Sequence, residues 1–108
     1  MPRDFEVYLE DILQAIGKIR IYTAGLTRDE FSQDDKTIDA VIRNLEIIGE
    51  AAKMIPESLR TKYPNIEWKK IAGLRDILAH QYFGIDLDIV WDILQNKLPD
   101  LERQLIGS

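Results

Sequence analysis

The 108-residue chain has no cysteine, one histidine and no long uninterrupted apolar run. Each shortage excludes something. Without thiols there are no disulfides and no thiolate metal ligands, which agrees with a reducing, cytoplasmic setting. A bilayer span takes about 18 or more consecutive apolar residues, and no stretch approaches that. Asp4, Glu6, Glu10 and Asp11 interrupt the apolar residues near the N-terminus, so no secretion signal is expected there. Strict apolar alternation is missing as well, and with it any convincing strand. No internal repeat or low-complexity segment is visible. The length fits one domain, residues 1–108.

Positive charge is also in deficit. Fourteen Lys and Arg stand against 19 Asp and Glu, a net charge of −5. A protein that coats nucleic acid without regard to sequence needs the opposite balance, and no DNA partner is expected. The deficit is uneven, however. Arg60, Lys62, Lys69, Lys70 and Arg75 fall close together with only Glu67 acidic among them. This basic stretch reads either as a solvated helix face or as a contact for an anionic ligand, with Lys69 and Lys70 the candidates for RNA phosphate.

What the chain has in quantity is helical periodicity. Phe5, Leu9, Ile12, Ile16, Ile19 and Thr23 step by four and three, with Asp4 placed to cap the start and Gly25 to end the helix. Ile38, Val41, Leu45, Ile48, Ala52 and Ile55 make a second stripe, entered through Gln33-Asp34-Asp35 and closed by Pro56. Leu87, Val90, Leu94, Leu98, Leu101 and Leu105 make a third, with Asp86 as its cap. Pro99 lies inside this third stripe and is expected to kink or end the helix near Leu98. Between the second and third stripes Pro56, Pro64 and Gly73 punctuate the chain. Short turns are expected at 57–60 and 67–71, then a short helix over "LRDILAHQYF" ending at Gly84.

The expected fold is all-α, a compact up-and-down four-helix bundle. Second apolar rows, Val7, Leu13 and Ile21 on the first helix and Ile42 and Ile47 on the second, widen the apolar face. A homodimer seam or a partner protein would cover it.

The histidine, His80, falls five residues after Arg75 and two before Tyr82. Helical rotation separates positions 75 and 80 by about 140° and about 7.5 Å, whereas Asp76 and His80 at i, i+4 share a face. Asp76 can then accept a hydrogen bond from the imidazole and raise its pKa. Arg75 reaches the same pocket by leaning along its helix or by crossing a twofold axis to the other chain's His80. One chemistry that needs Arg and His but no metal is RNA phosphodiester cleavage. Imidazole moves the protons, guanidinium binds the crowded phosphate, and the ribose 2′-hydroxyl is the nucleophile. A single imidazole does not readily act as base and acid in one step, but a dimer supplies two. Against this stands the plain reading of a helix end that carries polar residues.

"RDILAHQY" matches R-x-x-x-x-H-x-Y, and "IRNLEIIGEAAKMIPESLRTKYPNIEWKKIAGLRDILAHQYFGID" extends the match. Over residues 5 to 105 the chain resembles the HepT-like HEPN-domain ribonuclease toxins of HEPN/MNT toxin–antitoxin pairs. The resemblance implies a dimeric helical bundle, with Arg75 and His80 as the catalytic pair in a cleft between protomers. It also implies metal-independent cleavage without a cofactor, and a minimal nucleotidyltransferase antitoxin that AMPylates Tyr82. Nucleotide on Tyr82 would add negative charge and bulk beside His80 and exclude an RNA phosphate. Outside the signature, Glu50 is a candidate to steady Arg75 across the bundle, or else a surface ion-pair partner. Asn44 is a second supporting candidate, and Arg43 and Glu46 are spaced for an intrahelical salt bridge. Trp68 and Trp91 are expected in the core rather than stacked on bases. Two other readings stay open: a non-catalytic helical interaction module, and a substrate-binding partner of a nucleotidyltransferase.

Overall fold

A computed structural model describes residues 5–80 and 86–106; for Arg75, Asp76, Ile77, Ala79 and His80 it describes the backbone only. The described residues form helices α1 (Glu6–Thr23), α2 (Arg28–Ser32), α3 (Asp35–Lys53), α4 (Glu57–Arg60), α5 (Trp68–His80), α6 (Leu87–Asp92) and α7 (Leu98–Ile106), with a π-helical turn at Ile93–Lys97 between the last two. No strand occurs among them, and none of their helices is long and apolar enough to cross a membrane.

The stripes read from the sequence supply most of the core, although Phe5 at the head of the first is 42% exposed. Ile12, Ile16 and Ile19 of α1 meet Val41, Leu45, Ile48 and Ala52 of α3, all 3% exposed or less. Val90, Leu94, Leu98, Leu101 and Leu105 complete it from the C-terminal rod. Helix α3 is central: α1 packs on it, and so does α5, while α7 returns against α1.

Caps explain where the helices begin. Asp34 accepts the backbone N–H of Thr37 at 3.1 Å and its hydroxyl at 2.7 Å, which holds its carboxyl below the usual range. Asp86 accepts from the N–H of Asp88 at the start of α6. Gly25, at φ +77°, makes the left-handed turn after α1, a region open to glycine at no steric cost. The proposed cap Asp4 lies outside the described residues.

Three features depart from the sequence reading. Helix α2 is an addition, started by a reciprocal capping box between Thr27 and Glu30; the T-x-x-E spacing was its signal. Gly73 does not punctuate: α5 runs through it without a break, so the separate turn at 67–71 and the short helix after it are one rod up to His80. Pro99 does not end the C-terminal rod, and the irregularity near Leu98 takes the form of a π-helical turn. The turn before it widens, with Leu98 N–H bonded to the Ile93 carbonyl. An inserted residue of this kind takes up the bond and the space that proline denies to the preceding turn.

Candidate functional site

Helix α5 carries Arg75 and His80 of the signature, and its first turn shows how it is held. The N–H groups of Lys70 and Ile71 both bond the Glu67 carbonyl. Trp68 anchors the start from inside the core at 6% exposure, with the Tyr63 ring edge-on at 6.3 Å, and Leu78 buries the far end. The plain reading of Trp68 as a core residue therefore holds. Trp91 is half-buried beside Phe31, with ring centroids 5.4 Å apart, and is core in the same sense.

The backbones of Arg75, Asp76 and His80 thus lie on one continuous helix braced on α3. Helical rotation puts position 75 two turns after Trp68 on nearly the same line, and position 80 about 140° away. The side chains of all three lie outside the described part of the structure, and so does Tyr82 with its whole residue.

The basic stretch divides once partners are known. Arg60 is committed to the fold: its guanidinium donates to the carbonyls of Ile55 at 2.9 Å and Ala52 at 3.2 Å, closing the C-terminal end of α3. Lys70 is paired with Glu67 at 2.6 Å, and this ammonium, with Lys97 further off, holds the Glu67 carboxyl below the usual range. Lys69 is exposed and makes no ion pair among the described residues. Of the two lysines suggested for phosphate, Lys69 is thus the uncommitted one.

Two of the supporting candidates, Glu50 and Asn44, belong to α3, the helix on which α5 packs. Glu50 is exposed on α3 and lines a groove of about 350 Å³ whose other described walls include Tyr8 and Asp11 of α1 and Arg43, Ile47 and Met54 of α3. Asn44 is buried, and its carboxamide donates to the Ala40 carbonyl one turn earlier at 2.8 Å. The spacing of Arg43 and Glu46 does give an ion pair, at 3.7 Å and largely exposed.

Comparison with known proteins decides the family. The model described as "Ribonuclease HepT-like" matches residues 12–106. The chain belongs to the ribonuclease HepT-like family. A Methanocaldococcus jannaschii protein provisionally named an RNase is 50% identical over 93% of this chain and 84% of its own length. A Thermococcus cleftensis protein provisionally named ribonuclease HepT is 43% identical over 94% of this chain and 93% of its own. The mRNA nuclease HepT of Shewanella oneidensis is 31% identical, covering 68% of this chain and 74% of its own. No solved structure matches the chain. The resemblance read from the sequence is the family the comparison finds, and the signature helix of this HepT-like chain lies inside the matched span.

Proposed function

We propose that this HepT-like chain is an endoribonuclease toxin that works as a cytoplasmic homodimer without metal. The observation that carries the reading is the R-x-x-x-x-H-x-Y signature, its Arg75 and His80 on one uninterrupted helix, in a chain whose family match runs from residue 12 to 106. The names of its relatives support RNA as the substrate.

In this reading an imidazole of His80 takes the proton of the ribose 2′-hydroxyl. The 2′-oxygen attacks phosphorus, the bond from phosphorus to the 5′-oxygen breaks, and the leaving oxygen takes a proton from an acid. The products are a 2′,3′-cyclic phosphate and a 5′-hydroxyl. Arg75 spreads its two N–H groups over the phosphate oxygens as charge builds there. Two protomers supply two imidazoles, one as base and one as acid. Asp76, one turn before His80, keeps the imidazole protonated more readily. Lys69 adds a phosphate contact that positions the strand without reading sequence. A nucleotidyltransferase antitoxin silences the site by attaching AMP to Tyr82, two residues from His80.

The test is cleavage of RNA in EDTA by purified protein. His80→Ala should lower the rate by roughly 10²- to 10⁴-fold, the usual worth of a general acid or base, with the helical circular dichroism unchanged and growth inhibition lost. A variant that cuts RNA or inhibits growth as well as the parent removes His80 from the mechanism. A parent that cuts no RNA yet binds a nucleotidyltransferase tightly makes the chain an interaction module instead.

A further inference from the structure

Gly73 is a glycine that the fold itself does not require. It sits in the middle of α5 with no positive φ, and a Cβ built on it meets nothing within 4 Å. A mid-helix glycine is disfavoured relative to alanine, and close packing against another element is its usual reason. No described part of this chain supplies one. The open space in front of it is a groove of about 460 Å³ between α5 and the C-terminal rod, within the range of small-ligand clefts, roughly 300–1,000 Å³.

Its walls and rim suit one kind of occupant. Ile71 and Leu74 form one side, Ile93, Leu98 and Leu101 the other, and the π-helical turn contributes Ile93 and Lys97. The rim carries the carboxamides of Asn65 and Gln104. Gln104 spends its N–H on Asp100 at 2.9 Å and leaves its carbonyl oxygen as an acceptor. Among the rim charges Lys70 is paired with Glu67, and Asp100 with Arg103 at 3.3 Å. Lys97 is exposed and makes no ion pair among the described residues, its charge reaching Glu67 only from beyond pairing distance. Apolar walls, carboxamide edges and one ammonium outside any ion pair match a nucleobase with its phosphate. Position 80 lies seven residues beyond Gly73, two turns along one line of α5 and about 10.5 Å away. The groove is thus within two helical turns of a phosphate held at position 80.

We propose that the groove in front of Gly73 is a nucleobase subsite, taking the base of a nucleotide that neighbours the scissile linkage while Lys97 holds its phosphate. This rests on the ribonuclease reading and extends it to substrate positioning. Gly73 is there to keep the slot open.

The experiment has two arms. In the first, the protein cuts oligoribonucleotides carrying one abasic site at successive positions around the cleaved bond. One abasic position should slow the parent by roughly ten- to a hundredfold, the worth of one stacked base. Gly73→Leu, which fills the slot, should be slow on intact RNA by a similar factor and indifferent to the abasic site. Lys97→Glu, an exposed change that cannot unfold a core, should raise KM more than it lowers kcat. In the second arm each nucleoside 5′-monophosphate is titrated into the protein and the methyl resonances of Leu74, Ile93 and Leu101 are followed. Saturable shifts in the parent, absent in Gly73→Leu, are expected. Equal cleavage at every abasic position, or no methyl shifts with any nucleotide, overturns the subsite. So does a Gly73→Leu protein that changes from dimer to monomer, since the groove would then be covered by a second copy. Failure to cut any RNA sinks the ribonuclease reading instead, and the methyl titration still decides the subsite.

Discussion

Helices α3 and α5 pack against each other, yet they are built on different terms. Val41, Asn44, Leu45, Ile48, Gly49, Ala51 and Ala52 of α3 are all buried, as expected of a helix with neighbours on two sides. On α5 the described side chains buried to that degree are Trp68 and Leu78, while Ile71, Ala72, Gly73 and Leu74 between them are only half-buried. Helix α3 is where the chain gains its stability. Helix α5 is anchored in that core by Trp68 and Leu78, with Ile71, Ala72 and Leu74 packed against it but leaving part of their apolar surface open. Arg75 and His80 of the signature belong to the second kind of helix.

The contrast can be broken most forcefully in the core. Leu45→Ala should cost about 2–5 kcal/mol, since Leu45 is fully buried and the cavity cannot easily collapse. Leu74→Ala on α5 should cost well under half as much, because part of the side chain already faces solvent. Urea denaturation of both variants checks the ranking, and equal losses would mean that α5 is as enclosed as α3.

Next in size is the start of α3. Asp34→Ala removes both bonds to Thr37 and should lower Tm by several degrees. The same carboxylate ties stability to pH. Its folded pKa is depressed by the Thr37 hydroxyl and N–H, so its contribution is fully present above the ordinary carboxylate range and disappears as pH falls through the folded value. The Thr27 bonds depress Glu30 in the same sense at α2. A melting series from neutral to acid should fall more steeply for the parent than for Asp34→Ala, and parallel curves would remove Asp34 from the acid response.

Smaller, and opposite in sign, is Gly73→Ala. The added methyl enters open space on a helical backbone, so stability should rise by up to about 1 kcal/mol. A loss instead would show that Gly73 meets something in solution. The smallest effect is expected at the surface: breaking the Arg20–Glu102 pair, whose arginine is 59% exposed, should change stability by less than about 1 kcal/mol and fade further in salt.

Much of this was readable in advance. The steps of three and four residues placed the buried faces of α1, α3 and the C-terminal rod, because burial selects side chains on one line of a helix. The signature likewise belongs to one contiguous segment, so spacing alone put Arg75 and His80 on α5. Less was readable wherever the outcome depends on a residue distant in sequence. Arg60 looked like a surface cation until the carbonyls of Ala52 and Ile55 claimed it, and Glu50 faces a groove walled by α1. Gly73 reads as a helix breaker in isolation, because its cost is local and its compensation is not. Helix α5 crosses it because Trp68 and Leu78 are anchored in the core on either side.

Composition, periodicity and motif therefore determined that this chain is helical, which faces it buries and which family it belongs to, since all three are carried by patterns along the chain. Only the tertiary structure decided which charges are already spent, where grooves remain open and whether a glycine interrupts a helix. Those outcomes depend on distances between segments, and the packing of α1, α5 and the C-terminal rod around α3 sets those distances.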